Sequence, residues 1–293
     1  MEGYKQQTKN MPWASMGRTT PVSRAGLSLV AVGTSSFDAP IREPGDPPIQ
    51  FSNEDSNFEQ YLAEIVGTAI QVGEGKLATC AHVIEAVAEK KRQGYLLTRS
   101  RTENDYECTS WPFRNTLRYV DPRNGKANVS VDLAIILAFY PGIPPRYDVP
   151  IARWGDSTKL GVGDPIVIGG YPYGTDLFRS TQTNRGIIQP TFYPGIVSAI
   201  LPATGPTETR LLQISALAAG GISGGAVLDP ISGKVLGMVT SGLEENGAMQ
   251  PVTYAIPSEV IAPFSSNINF EAAGRRIGKE APLGVNGRPA KEK

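Results

Sequence analysis

The stretch Gly220-Gly221-Ile222-Ser223-Gly224-Gly225 sets one serine among glycines, between Gln213-Ile214 and the apolar run Ala226-Val227-Leu228. An acyl-transfer nucleophile needs such neighbours, because its hydroxyl must stand clear of the backbone while a carbonyl approaches closely. The N–H groups of Gly221 and Ser223 can then converge on the developing oxyanion. The alternative interpretation is a tight glycine turn that joins two strands.

The single histidine of the chain, His82, follows the strand-like run Leu77-Ala78-Thr79, and Asp132 heads the apolar run that begins at Leu133. Alone, a histidine is more often a bystander, and an aspartate before a strand is more often a turn residue. Together they give the order His82, Asp132, Ser223, which is that of the two-barrel serine proteases and not of subtilisin or the α/β-hydrolases. The order predicts a catalytic triad of base, orienting carboxylate and nucleophile.

Further segments follow in a fixed order, namely Trp154-Gly155-Asp156-Ser157, Leu160-Gly161-Val162-Gly163-Asp164, Val167-Ile168-Gly169-Gly170-Tyr171-Pro172-Tyr173-Gly174, Gly195-Ile196-Val197-Ser198-Ala199 and Tyr254-Ala255-Ile256-Pro257-Ser258. With the triad segments they resemble the trypsin-like serine peptidases, most closely the HtrA/Deg branch, from about Leu62 to Phe264. The resemblance implies an all-β, chymotrypsin-like fold of two six-stranded antiparallel β-barrels. It places the active site in the cleft between them and a short helix after Pro257.

Two departures from that family concern the loop before the serine. Ile222 stands where the HtrA branch usually has Asn and the trypsin branch Asp, which argues against activation by pairing with a newly cut N-terminus. Ser215 and Ala219 stand where the HtrA branch typically has Asp and Asn. The main interpretation is a serine endopeptidase. Because of these departures, two others stay open: a protease that is gated by a partner or its substrate, and a catalytically idle module that binds extended peptides.

The resemblance also implies the substrate contacts, which are Ala216, Leu217, Ala218, Val239, Thr240, Ser241 and Gly242. Substrate would pair as an added strand along residues 240–242. Leu217 lies six positions before the serine, where the trypsin branch carries an acidic residue, and residues 213–223 contain no Asp or Glu. A buried Arg or Lys side chain would be unpaired there, so cleavage after apolar residues is expected.

Composition narrows the class of protein further. Lys and Arg number 28 and Asp and Glu 28, so no general attraction to nucleic acid or anionic membranes is expected. No apolar run reaches the roughly 18 residues of a membrane span. One histidine and two cysteines that are distant from each other cannot supply a metal-ligand set, and no phosphate-binding glycine loop is evident, so no cofactor is expected. The expected partner is a protein or peptide substrate, and the oligomeric state stays open.

The two cysteines, Cys80 and Cys108, do not reproduce the disulfide that staples the histidine loop of secreted trypsin-like enzymes, since Val83 follows His82. We therefore expect a reduced, cytoplasmic compartment.

The expected division of the chain has five parts: a mobile segment (1–25), a barrel with His82 and Asp132 (26–140), a linker (141–149), a barrel with Ser223 (150–264) and a polar tail (265–293). The 29 residues after Phe264 are too few for a PDZ domain. Residues 36–57 form a proline-containing insertion, expected to be a surface loop, with a partner-docking loop as the alternative. Helical spacing covers 84–92, and strands are expected near 95–98 and 117–120.

Overall fold

The fold is seen in a computed structural model. Its described part contains fourteen strands, which form two antiparallel sheets, and three short α-helices. The structure describes residues 20–35, 49–51, 64–101, 106–113, 115–120, 128, 130–138, 149–174, 189–203, 209–216, 219–245 and 248–268. We call the sheet in the N-terminal half of the chain, together with the helix that carries His82, the first lobe. The sheet in the C-terminal half is the second lobe. No helix in these ranges is long and apolar enough to cross a membrane.

The second lobe is a closed six-stranded barrel. Its strands are β9 (Pro165–Gly170), β10 (Thr191–Leu201), β11 (Leu211–Ile214), β12 (Ala226–Leu228), β13 (Val235–Glu245) and β14 (Ala248–Pro257). They pair in the order β10-β11-β14-β13-β12-β9. Ile166 and Ile168, two residues apart on β9, both point into the barrel core, as the two-residue period of a strand requires. The barrel predicted for this half of the chain is confirmed.

The first lobe is a curled sheet of eight strands. They are β1 (Leu29–Thr34), β2 (Ile49–Phe51), β3 (Glu64–Gly73), β4 (Lys76–Thr79), β5 (Gly94–Arg101), β6 (Tyr106–Phe113), β7 (Asn115–Arg118) and β8 (Ala134–Leu137). They pair in the order β2-β6-β5-β1-β3-β4-β8-β7. The all-β, chymotrypsin-like fold is confirmed, but the first lobe differs in detail from a six-stranded barrel because its described strands do not close.

Two of these strands were not expected. β2 lies inside the insertion that was interpreted as a loop, and it pairs with β6 at the edge of the sheet, where nearby prolines are tolerated. β6 pairs with β5 along eight residue pairs although it contains Glu107 and Pro112 and has no continuous apolar run. Cross-strand pairing rather than local sequence therefore defines β6.

Helix α2 (Ala81–Glu89) starts directly after β4 and carries His82 in its first turn. Val83 and Val87 are buried against the sheet, while His82 is exposed. The helix begins three residues before the predicted start at Ile84, because β4 already ends at Thr79. This register buries Val83 and Val87 and leaves the imidazole outside the core, where it meets Asp132.

Each end of the described chain crosses to the other lobe. Residues 20–28, the N-terminal crossover, contain α1 (Pro21–Ala25), which Thr20 and Ser23 cap reciprocally. This helix lies in the segment expected to be mobile. It packs so closely on the second lobe that a Cβ on Gly233 would lie 2.3 Å from the Pro21 carbonyl oxygen. The Tyr171 hydroxyl donates to the carbonyl of Leu29 at 3.1 Å, just beyond this crossover.

The C-terminal crossover is α3 (Ser258–Asn267), the helix predicted after Pro257. Lys76 of β4 donates through Nζ to the carbonyl of Ser265 at 3.0 Å. The rings of Tyr119 and Phe264 meet edge to face, with centroids 5.1 Å apart. Residues of both lobes therefore share one continuous hydrophobic cluster.

Candidate active site

Asp132 holds His82 through two hydrogen bonds. The backbone N–H of His82 donates to Asp132 Oδ1 at 2.9 Å, and His82 Nδ1 lies 2.6 Å from Asp132 Oδ2. The N-cap residue of α2, Cys80, makes no capping bond with its side chain, so the carboxylate satisfies a free N–H of the first turn. An ionised carboxylate only accepts hydrogen bonds, so Nδ1 carries a proton, and in the neutral tautomer of this ring Nε2 is the accepting nitrogen.

Thr240 of β13 supplies a third hydrogen bond to this carboxylate, since its Oγ1 donates to Asp132 Oδ2 at 2.5 Å. Burial raises the pKa of Asp132, but hydrogen bonds from the His82 ring, Thr240 and the His82 backbone outweigh it, so the pKa lies below its usual value. The sequence indicated Thr240 only as a substrate contact. Its hydroxyl, which is 6% exposed in the structure, binds a residue 108 positions away, so no sequence signal marks this role.

Ser223 lies in the turn that precedes β12, and its side chain is half-buried. Its Oγ donates to the carbonyl oxygen of Thr240 at 3.2 Å. Within the described residues, no hydrogen bond joins this hydroxyl to His82. The structure therefore brings all three predicted triad residues to one place, with the serine hydroxyl turned toward β13.

Residues 220–223, which we call the oxyanion loop, have every carbonyl group engaged. The four bonds run from Tyr173 N to Gly220 O (2.6 Å), Thr68 Oγ1 to Gly221 O (2.9 Å), Gly225 N to Ile222 O (2.7 Å) and Thr68 N to Ser223 O (2.8 Å). The described peptide bonds are all trans, so each N–H points opposite to the carbonyl of its own peptide unit. The bonds to Gly220 O and Ile222 O therefore fix the directions of the Gly221 and Ser223 N–H groups.

Those two N–H groups donate to no other group of the described chain. Gly221 has a φ of +90°, which favours glycine, and a Cβ there would lie 2.4 Å from the carbonyl oxygen of Tyr171. The pair of free donors beside Ser223 has the composition of the predicted oxyanion hole.

The three residues of this loop that differ from the family pattern, Ile222, Ser215 and Ala219, are accommodated by apolar packing and one hydrogen bond. Ile222 is fully buried in the core of the second lobe, so apolar contacts replace the ion pair of the trypsin branch. Ser215 Oγ accepts a hydrogen bond from the N–H of Ile196 at 3.1 Å, and Ala219 is buried.

The proposed specificity pocket is described only in part. Ala216 and Val239 are buried within the second-lobe core. Leu217 and Ala218 lie outside the described residues, and the backbones of Ser241 and Gly242 pair with β14. The pocket therefore stays a prediction.

Cys80, His82 and Asp132 form one cluster of candidate metal ligands, with ligand atoms within 4.8 Å of one another. The sequence did not point to this cluster, because Asp132 lies 50 residues from His82 along the chain. His82 Nδ1 and Asp132 Oδ2 are 2.6 Å apart, whereas two ligands of one tetrahedral zinc ion lie about 3.3 Å apart. A hydrogen-bonded dyad accounts for this spacing better than a metal site does.

Comparison with known proteins gives three levels of similarity. Residues 67–238, more than half of the chain and including all three triad residues, match the trypsin-like peptidase domain family. The magnetosome formation protease MamE of Magnetospirillum gryphiswaldense is 32% identical over 140 residues, 48% of this chain and 16% of that protein. The serine protease Do-like HtrA of Bacillus subtilis is 28% identical over 120 residues, 40% of this chain and 25% of that protein. The match thus spans a quarter or less of each curated relative.

Solved structures of the HtrA-type protease AlgW share the fold. The structure with a decapeptide has a TM-score of 0.56 at 22% identity and covers 89% of this chain and 67% of that one. The structure with a tripeptide has a TM-score of 0.54 at 20% identity, with coverage of 86% and 63%. With the match over residues 67–238, these findings show that the chain belongs to the trypsin-like peptidase family and has the fold of the HtrA-type proteases.

Proposed function

We propose that this protease is a serine endopeptidase that uses Ser223 as nucleophile, His82 as general base and acid, and Asp132 as the orienting carboxylate. One observation carries the proposal: Asp132 binds both the backbone N–H and Nδ1 of His82, which orients the ring and makes Nε2 the nitrogen that would accept the serine proton. The depressed pKa of Asp132 keeps the carboxylate charged, so it can stabilise the imidazolium that forms.

Catalysis begins when the Ser223 hydroxyl turns from the Thr240 carbonyl toward His82, a rotation about one side-chain bond. Oγ then attacks the substrate carbonyl, and its proton passes to His82 Nε2. The N–H groups of Gly221 and Ser223 bind the oxyanion, and His82 then protonates the leaving amine. Water repeats the sequence on the acyl-enzyme and releases the second product.

A substrate strand has an edge to pair with. The ladder between β12 and β13 ends at the Ala226–Met238 pair, beyond which Val239 bonds to the backbone of Gly224 and Gly225. Among the described residues, no strand pairs with this edge of β13 from Thr240 onward, where the Thr240 carbonyl accepts the Ser223 hydroxyl, and this supports binding of an extended peptide by strand addition.

We infer that the preferred residue before the cleaved bond is apolar, namely Val, Leu, Met or Phe, because residues 213–223 provide no carboxylate. A digest of a peptide library read by mass spectrometry tests this. Dominant cleavage after Arg or Lys would show that the pocket is wrongly assigned.

A second function, a catalytically idle module that binds extended peptides, is favoured by the hydrogen bond of Ser223 to Thr240 instead of to His82. Gating by a partner or substrate lies between these two functions. The engaged carbonyls of the oxyanion loop support a hole that is already formed at rest, and hence the ungated enzyme.

A labelled fluorophosphonate separates the three cases. The ungated enzyme should be labelled at Ser223 as the purified chain, and Ser223→Ala and His82→Ala should both abolish labelling while the circular dichroism spectrum stays unchanged. Labelling that needs added lysate would indicate a gated enzyme. No labelling in either condition, with measurable peptide binding, would support the binding module.

A further inference from the structure

We propose that Thr68 is a positioning residue of this active site, which holds the oxyanion loop of the second lobe from the first lobe. The inference rests on the proposed function, since it concerns the stabilisation of the oxyanion formed by Ser223. No sequence motif pointed to Thr68, which lies 155 residues before the serine.

Thr68 lies on β3 at the point where β4 leaves it. The β3–β4 ladder begins at the Ile70–Ala78 pair, and β4 ends at Thr79. The backbone of Thr68 on this edge is therefore free to bond elsewhere. Its N–H donates to the carbonyl of Ser223 at 2.8 Å, and its carbonyl accepts from Thr79 Oγ1 at 2.7 Å.

The Thr68 hydroxyl has a defined direction. It accepts a hydrogen bond from the N–H of Tyr171 at 3.0 Å and donates its single proton to the carbonyl of Gly221 at 2.9 Å. Two residues after Tyr171, the N–H of Tyr173 holds the Gly220 carbonyl. Thr68 thus provides two of the four bonds that fix the oxyanion loop, and it anchors the segment that provides a third.

Glycines provide the room that these contacts need. A Cβ on Gly224 would lie 1.9 Å from the Thr68 carbonyl oxygen, and one on Gly170 would lie 2.9 Å from Thr68 Oγ1. A Cβ on Gly67 would lie 3.2 Å from the Ser223 carbonyl oxygen. Thr68 can approach these three backbone positions closely only because glycines without a Cβ atom occupy them. Such close approach is expected of a residue that binds a neighbouring loop.

Loss of the Thr68 hydroxyl should affect the stabilisation of the oxyanion and not the binding of substrate. Oxyanion donors act when they lie about 2.7–3.1 Å from the charged oxygen, and this contact is stronger in the transition state than in the bound substrate. Loss of the Thr68 hydroxyl would remove the donor from the part-buried Gly221 carbonyl and loosen the peptide unit that lies between the Gly221 and Ser223 N–H groups. The expected change is therefore in kcat and not in KM.

The test compares Thr68→Val, which removes the hydroxyl at nearly constant volume, with Thr68→Ser, which keeps it. For Thr68→Val we expect kcat on a peptide p-nitroanilide to fall about 10- to 100-fold, less than the ~10²–10³-fold loss of a whole donor, with KM within about twofold. The rate of fluorophosphonate labelling should fall in parallel, and Thr68→Ser should restore both within about threefold. The matched control, Thr79→Val, removes a hydroxyl from the same interface without touching the oxyanion loop, and it should retain kcat.

Equal kcat in Thr68→Val and the wild type, or equal losses in Thr68→Val, Thr68→Ser and Thr79→Val, would overturn the role of Thr68. If Thr68→Val does not fold, Thr68→Ala and Thr68→Ser, which differ by one oxygen atom, give the same comparison. Ser223→Ala is measured alongside. If its activity equals that of the wild type, the proposed function itself fails, which is a different result from an active enzyme that is indifferent to Thr68.

Discussion

Replacing Gly221 with alanine tests whether the oxyanion loop is held in the geometry that catalysis needs. A Cβ at this position would lie 2.4 Å from the Tyr171 carbonyl oxygen, in a backbone conformation with φ of +90°. The Tyr171 segment cannot easily retreat, because Thr68 Oγ1 binds the N–H of Tyr171. The oxyanion loop must therefore move.

The size of the effect follows from these distances. Real Cβ contacts essentially never fall below 3.0 Å, so the new methyl group requires about 0.6 Å of movement. The useful range of donor distances is only about 0.4 Å wide, so the Gly221 N–H should leave it. We expect kcat to fall by roughly 10²–10³, the loss that follows removal of one oxyanion donor. Stability should also fall by about 1–2 kcal/mol or more, because a left-handed conformation disfavours a side chain.

Gly163→Ala is the matched control, since Gly163 has a φ of +93° and a Cβ added there would meet no atom within 4 Å. It should share the loss of stability that comes from backbone strain and keep its activity. Both variants are measured by steady-state cleavage of a peptide p-nitroanilide and by thermal unfolding. If Gly221→Ala keeps kcat within about threefold of the wild type, or if Gly163→Ala loses as much, the geometry of the oxyanion loop does not support catalysis.

Three further outcomes are expected. If the proposed triad operates, Asp132→Asn should lower kcat about 10⁴-fold, the loss that the same change causes in trypsin, and a loss below about tenfold would contradict the orienting role. Because the pKa of Asp132 is lowered by folding, the stability it contributes is present above the usual value of 3.8 and lost as pH falls through the lowered value. The difference in unfolding free energy between the wild type and Asp132→Asn, measured by urea denaturation, should therefore shrink toward acid pH, and a constant difference would refute this. In a Cys108→Ser background, Cys80 should resist iodoacetamide until denaturant is added, because burial first and the charge of Asp132 second raise the pKa of its thiol; rapid native labelling would contradict this.

The three residues of the proposed triad, which the structure brings together, could be picked out from the sequence because each lies in a short segment with a strong local pattern. Ser223 lies among glycines that the close approach of other backbone segments requires, and Asp132 and His82 lie directly beside apolar strands. Apolar runs bounded by glycine and proline indicated strands in the second half of the chain, whereas their closure into a barrel was implied by the resemblance to the trypsin-like peptidases.

The residues that bind Asp132 and the loop 220–223 from other parts of the chain could not be found in this way. Thr68 bonds to Gly221 across 153 residues, and Thr240 bonds to Asp132 across 108 residues, so no local pattern marks either hydroxyl. β6 was missed for a similar reason, because its sequence has neither alternation nor an apolar run and its pairing with β5 defines it. Long-range hydrogen bonding, which has no sequence period, decides these features.

Because of the two terminal crossovers, neither lobe is expected to fold independently of the other. A fragment that begins at β1 would lose the helix seated on Gly233, and one that stops at β14 would lose the helix that covers Lys76 and Tyr119. Each lobe would then expose apolar surface that the opposite end of the chain now covers, at about 25 cal/mol per Å². Dissecting the gene between the lobes should therefore give two insoluble halves, and the intact chain should melt as one cooperative unit.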